Sequence, residues 1–222
     1  MKEQIIKENY ERISKEIKEL NKNVTLLCAT KTQCAEDINY LISLGCTHIG
    51  ENRVNELTEK YDSYDKSAEL HFIGTLQTNK VKYIIDKVSL IHSVDTVGLL
   101  KEIDKRAEKI GKVMDILLEV NSGKEENKGG IMPEDVCDFY EIAKAYKNIR
   151  VRGLMTMAPR CNTREEYLQY FSLTKELFDK LFKDDESAIL SMGMSESYKY
   201  AIEAGANMVR LGSCIFGERK YN

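Results

Sequence analysis

No two of the six cysteines (Cys28, Cys34, Cys46, Cys137, Cys161 and Cys214) stand as C-x-x-C. The absence argues against a thiolate zinc site, and in a reducing compartment against disulfides, so buried or half-buried free thiols are expected. No apolar run approaches the length of a membrane span. The first residues, Met1-Lys2-Glu3-Gln4-Ile5-Ile6-Lys7, alternate charge with apolar side chains and lack the apolar centre of a signal peptide. A cytoplasmic protein with no membrane partner is expected. Like charges do not gather in blocks: the net charge of −3 and the isoelectric point near 5.8 come from interspersed lysines and carboxylates. Nothing in that pattern suits a nucleic acid, and solubility is the simpler use of the charge. Low-complexity tracts are missing too. A chain of 222 residues with 42% hydrophobic side chains has enough apolar material for one substantial core, so residues 1–222 are expected to form a single domain.

What the chain does contain is a repeating alternation of short apolar runs and amphipathic stretches. Ile5, Ile6, Tyr10, Ile13, Ile17 and Leu20 recur at helical spacing, which predicts a helix ahead of the first strand, Leu26-Leu27-Cys28-Ala29. A helix over Ala35 to Leu44 stops at Gly45, and strand Thr47-His48-Ile49-Gly50 leads into another helix after Arg53. Leu70 to Gly74 is the third strand, with a helix through Ile85, and Ser89 to Ser93 the fourth, with a helix from Thr96 to Ile110. Val113 to Val120 is the fifth. A loop rich in Gly, Lys and Glu follows it, then a helix from Pro133. Val151 to Met157, Ala188 to Met192 and Asn207 to Leu211 complete eight strands. Thr163-x-x-Glu166 caps a long helix to Phe182, and a further helix carries Glu196 to Glu203. Eight strands alternating with helices predict parallel pairing and closure into an α/β (β/α)8 TIM barrel with an extra N-terminal helix. The rival, an open doubly wound sheet, would normally carry G-x-G-x-x-G after its first strand, and none is there.

Lys31 stands where the first strand ends, at the mouth of such a barrel, where its amine can form a Schiff base with a carbonyl compound. The plain alternative is a solvated lysine in a strand-to-helix turn. Closure places the last strand beside the first, so Arg210-Leu211-Gly212-Ser213 becomes a neighbour of Lys31. Gly212 permits close approach, Ser213 adds a hydroxyl, and the helix start beyond supplies free amides: a phosphate cradle. Ser195, after the seventh strand, extends it. Taken alone, Ser195 reads as a helix cap, Gly212 as a turn and Arg210 as an outward, solvated side chain. A lysine and a phosphate cradle at one barrel mouth suggest pyridoxal 5′-phosphate (PLP), with Arg210 in reach of the pyridine ring. Asn121 faces either the mouth or a turn, the lysines from Lys124 to Lys128 sit at the entrance or in solvent, and His48, His71 and His92 read as core histidines or strand-end groups.

The motifs Ala29-Thr30-Lys31-Thr32, His48-Ile49-Gly50-Glu51-Asn52, His71-Phe72-Ile73-Gly74-x-Leu76-Gln77-x-Asn79-Lys80, Val151-Arg152-Gly153-Leu154-Met155, Leu190-Ser191-Met192-Gly193-Met194-Ser195 and Val209-Arg210-Leu211-Gly212-Ser213-x-Ile215-Phe216-Gly217 resemble the pyridoxal phosphate homeostasis protein family (YggS/PROSC) over nearly the whole chain. The resemblance implies the barrel of the alanine racemase N-terminal domain. It also implies that Lys31 carries the cofactor as an internal aldimine, with Asn52 near it, Ser195, Gly212 and Ser213 on its phosphate, and Arg210 at its pyridine nitrogen. Four positions depart from the family pattern: Gln33 and Cys34 where a basic residue and proline are common, Thr75 where proline is common, and Ser213 where threonine is usual. Racemases of this barrel type resemble it but add a second domain and a partner that supply a second acid-base group. The chain is therefore expected to be a non-catalytic, monomeric PLP carrier acting in vitamin B6 homeostasis, with PLP-dependent apo-enzymes as recipients. A weak amino-acid racemase and a cofactor-free Schiff-base aldolase are the enzymatic alternatives, and an interaction module with no chemistry is the third reading.

Overall fold

β1 (Thr25–Ala29) alternates its side chains between two environments: Leu27 and Ala29 belong to an apolar cluster inside the barrel, and Cys28 to the larger cluster between sheet and helices. The computed structural model describes residues 2–217. Met1 and residues 218–222, which the expected 1–222 domain includes, lie outside the described residues. β2 (His48–Glu51), β3 (Glu69–Phe72), β4 (Leu90–Val94), β5 (Met114–Val120), β6 (Ile149–Thr156), β7 (Ile189–Ser191) and β8 (Met208–Leu211) follow in sequence order around a closed parallel barrel. Closure is direct: Leu27 of β1 lies opposite Arg210 of β8, and Cys28 opposite Leu211. The fold is a TIM barrel.

Helices α1 (Lys2–Leu20), α2 (Ala35–Ser43), α3 (Val54–Lys60), α4 (Val97–Lys109), α5 (Val136–Lys144), α6 (Arg164–Phe182), α7 (Tyr198–Glu203) and α8 (Ser213–Phe216) cover the sheet. The extra helix α1 buries Ile6, Ile13 and Ile17 and packs against α2, α7 and α8, so it lies over the seam where the first and last strands meet. Thr96 caps α4, and the Thr163 and Glu166 box caps α6 as the sequence predicts. No described helix is long and apolar enough to cross a membrane.

Three features differ from the sequence expectation. The connection after β3 is a 3-10 helix, Thr78–Tyr83. Within it only Val81 is buried, and the apolar pair that follows, Ile84 and Ile85, is buried just beyond its end. Pro133 likewise opens a 3-10 turn, Pro133–Asp135, and the α-helix starts only at Val136. Among the cysteines, all six are free, but Cys34 is exposed because it precedes α2 at the rim rather than facing the core.

The barrel interior is not uniformly apolar. Leu27, Ala29, Ile73 and Met208 form one cluster and Leu90, Leu117 and Met155 another, with Ile189 against both. His71, His92, Glu119, Ser191 and Arg210 are also buried, and each shares strand parity with one of those inward residues.

Candidate functional site

Lys31 stands two residues beyond β1, half-buried, in a turn whose backbone is held from outside the sheet. Its neighbours Thr30 and Thr32 carry the fixings. The Thr30 hydroxyl reaches Glu51 Oε1 at 2.8 Å, and the Thr32 amide donates to Glu56 Oε2 at 2.8 Å. Lys60 Nζ donates to Gln33 O at 3.1 Å and to Glu51 Oε1 at 2.7 Å, and the Tyr64 hydroxyl donates to that same oxygen at 2.8 Å. Burial and the Glu51 carboxylate push the Tyr64 phenol well above its ordinary value, so it remains a donor. Thr32 itself has φ +67°, a conformation that costs a β-branched residue about 1–2 kcal/mol. The turn is thus strained, and three side chains of the β2–α3 region hold it.

At the end of β2, Asn52 is fixed by a close passage of the next strand. A Cβ on Gly74 would lie 2.1 Å from Asn52 O, so only glycine admits this approach. The Asn52 side chain lines the mouth, and its Oδ1 is buried with no hydrogen-bond partner. Gly212 approaches β1 less closely, where a Cβ would lie 3.1 Å from Ala29 O, a tight contact rather than a clash. Beyond it Ser213 opens α8, whose first amides have no acceptor within the helix.

Lys31, Asn52, Ser195, Arg210, Gly212 and Ser213 all line one cavity of about 510 Å³ at the C-terminal mouth. Barrel closure brings these six positions together across 182 residues of sequence (213 − 31). The volume falls within the range of roughly 300–1,000 Å³ usual for small-molecule sites.

The floor of this cavity is polar. Arg210, only 5% exposed, points inward rather than to solvent, because its register with Leu27 places it on the inner face. Its guanidinium donates to Ser191 Oγ at 2.7 Å, to Ser191 O at 2.9 Å and to Thr156 O at 3.0 Å. Burial lowers it to about 10, with Glu119 opposing the shift, so it remains a cation at neutral pH. Burial, reinforced by Asp95 and opposed by Arg210, raises the Glu119 carboxyl to about 7. Beneath Ser191, His92 Nδ1 lies 3.3 Å from Ser191 Oγ, and His92 Nε2 lies 3.0 Å from His71 Nδ1. Burial, with His71 and Arg210 nearby, holds His92 well below its ordinary value and keeps it neutral.

The family described as alanine racemase, N-terminal domain matches residues 2–220. A protein of Aquifex aeolicus named "Pyridoxal phosphate homeostasis protein" is 47% identical over 199 residues, 88% of this chain and 87% of its own length. A Helicobacter pylori protein of the same name is 35% identical over 198 residues, 88% of each. The chain belongs to the pyridoxal phosphate homeostasis protein family. Among solved structures, PipY of Synechococcus elongatus with PLP bound superposes with a TM-score of 0.82 at 29% identity, over 94% of this chain and all of that one.

Against the sequence expectations for this homeostasis family, the structure adds side chains that sequence reading passed over. Glu51, Glu56 and Lys60 hold the lysine turn, Met157, Pro159 and Arg160 form a wall of the cavity after β6, and Tyr167 reaches it from α6. A signal existed for the wall, since Met157 to Arg160 follows a strand at the C-terminal face where barrel sites are built. Asn121 turns out to serve its turn: its side chain exchanges hydrogen bonds with the backbone of Glu125. Of the entrance lysines, Lys128 lines the cavity and pairs with Glu125 at 2.6 Å, whereas Lys124 is exposed beside Glu134.

Proposed function

We propose that this chain holds PLP through a Schiff base between the cofactor's aldehyde and Lys31, and acts as a monomeric carrier in intracellular vitamin B6 homeostasis. It supplies PLP-dependent apo-enzymes rather than turning over a substrate of its own. The observation that carries this reading is the shared cavity: an amine, a buried and unsatisfied Asn52 Oδ1, two hydroxyls and a cation converge on a space of cofactor size. The naming of relatives and the PLP-bound PipY structure support the same cofactor.

The chain's residues divide the work by chemistry. Lys31 supplies the nucleophilic amine, presented by a turn that Glu51, Glu56 and Lys60 keep in place before any ligand arrives. Ser195 and Ser213 offer hydroxyl donors, and the amides around Gly212 complete an anion cradle at the phosphate end. Asn52 offers its unsatisfied acceptor to a ring hydroxyl. Bound, the cofactor supplies an electrophilic carbonyl and an electron sink whose strength depends on protonation of its ring nitrogen. Arg210, cationic and unable to accept a proton, keeps that nitrogen unprotonated, which favours storage over turnover.

Borohydride reduction of the PLP-loaded protein followed by peptide mass mapping tests the assignment. The expected adduct lies on the peptide containing Lys31 and vanishes in Lys31→Ala, which unfolds at an unchanged temperature. An equally abundant adduct on another specific lysine would remove Lys31 from its role. Sustained racemisation of any amino acid in a coupled assay would contradict the carrier reading, and light scattering would reveal a dimer.

A further inference from the structure

The N-terminal mouth of the barrel, at the opposite end from Lys31, opens into a second cavity of about 330 Å³. Nothing in the carrier reading uses it. His48 opens β2 and Glu69 opens β3, and the two are directly paired across the ladder. His71 stands two residues beyond Glu69 and so shares its face. One donor atom from each of the three lies within 4.8 Å of the other two, and among the described residues no other three His, Cys, Asp or Glu side chains gather as closely.

The hydrogen bonds around the cluster leave particular atoms facing the cavity. His71 is 2% exposed, and its Nδ1 is taken up by His92 Nε2 at 3.0 Å. Its Nε2 is buried and has no hydrogen-bond partner, since Glu69 Oε2 at 3.6 Å is too distant to bond it. A buried nitrogen left in this state is destabilising unless something binds it. His48 Nδ1 is likewise taken, by Thr47 Oγ1 at 2.8 Å, which leaves Nε2 as its donor. The two imidazole rings stand nearly perpendicular, with centroids 5.5 Å apart. Both rings therefore have one nitrogen anchored behind them and one presented forward, the arrangement that orients metal-binding histidines.

We propose that His48, Glu69 and His71 form a three-ligand site for a divalent transition metal of the zinc class at the N-terminal mouth. Two imidazoles and a carboxylate suit zinc and its neighbours, whereas magnesium and calcium favour all-oxygen sets. Tetrahedral bonds of about 2.0–2.2 Å place ligand atoms roughly 3.3–3.6 Å apart, so the donors must draw together on binding. The side chain of Glu69 is 61% exposed and that of His48 lies at the rim, so both have room to rotate while His71 stays fixed. The cavity leaves the remaining coordination positions to water. Bound there, the metal ties β2 to β3 at the face where barrels place stabilising features.

The test is titration of the metal-stripped, untagged full chain with zinc and with cobalt, in the wild type, Glu69→Gln, His48→Gln and the double variant. His71 is left intact because its burial makes loss of fold a competing result. The wild type should bind one equivalent of either metal. Cobalt should give visible bands of four- or five-coordinate geometry without a thiolate charge-transfer band. Each single variant should bind at least roughly tenfold more weakly, and the double variant roughly a hundredfold. Zinc should raise the melting temperature of the wild type and not of the double variant, while PLP loading on Lys31 is unchanged in all four. Absence of stoichiometric binding, equal affinity in the variants, or a thiolate band that assigns the metal to cysteine would each overturn the proposal.

Discussion

At the C-terminal mouth Lys31, Asn52, Ser195 and Ser213 stand beyond the strand ends, and Glu51 at the end of β2 with Glu56 and Lys60 of α3 fixes the turn of Lys31. At the N-terminal mouth His48, Glu69 and His71 stand on the strands themselves, placed by ladder register, with the two imidazoles each held through Nδ1 by an adjacent side chain, Thr47 or His92. The first arrangement needs a supporting cast and is vulnerable at a distance. The second takes its precision from the barrel and should tolerate changes around it. Between the two lies the buried polar floor inside the barrel, and perturbing it should affect the C-terminal mouth first.

The largest effect is expected at Arg210. Arg210→Glu removes three buried hydrogen bonds and sets a second carboxylate near Glu119, costing on the order of 3–5 kcal/mol in denaturant unfolding. In the folded fraction the PLP spectrum should change and retention weaken, and an unchanged spectrum with unchanged affinity would place Arg210 away from the ring. His48→Gln at the opposite mouth should move metal-free stability by less than about 0.5 kcal/mol.

Next comes the pH dependence of the floor in the cofactor-free protein. Glu119 titrates at about 7 when folded against an ordinary value of 4.5. Between these pH values the folded chain retains a proton that the unfolded chain has released. The contribution of Glu119 is therefore complete below pH 4.5 and is lost as pH rises through 7, on the order of 3 kcal/mol in all. Glu119→Gln should remove that slope, and a wild-type and variant pair with parallel stability profiles would show that the carboxyl is better solvated than its burial implies.

Smaller effects should separate the outer supports. Glu51→Gln replaces an acceptor of three donors by an amide and breaks the Lys60 pair, lowering stability by about 1–2 kcal/mol. Its sharper signature is slower PLP loading, because the Lys31 turn loses its anchor. Stopped-flow absorbance would detect this, and a loading rate equal to wild type would mean that the turn keeps its shape unaided. At the C-terminal mouth the smallest change is Thr32→Gly, which relieves the left-handed backbone and offsets part of that gain through a freer unfolded chain, for a net stabilisation of about 0.5–1 kcal/mol in melting experiments.

The strand and helix order was readable because each apolar run is short and each break carries a chemical mark, such as Gly45 after α2 or the Thr163 and Glu166 box before α6. Lys31 and the Gly212-Ser213 turn could be brought together on paper because closure of eight strands fixes which ends meet. The inward direction of Arg210 could not, since parity in a four-residue strand depends on where pairing starts. Glu119 was hidden inside the run Met114–Val120, where one carboxylate does not disturb an apolar pattern. The contact of His71 with His92 depends on the stagger between β3 and β4, which sequence does not encode locally. Glu51 and Lys60 were invisible as supports because their work is done through hydrogen bonds to a turn some twenty residues away or more.

The line from Arg210 through Ser191 and His92 to His71 has a property that none of its members has singly. His92 is neutral and so carries one ring proton. If that proton lies on Nε2, His92 gives a hydrogen bond to His71 and must accept one from Ser191; if it lies on Nδ1, both directions reverse. The orientation of the Ser191 hydroxyl next to Arg210 and the direction of the hydrogen bond between His92 and His71 are therefore set together by the position of that one proton. Both arrangements fit the same heavy-atom positions, so the choice between them needs no movement of the backbone.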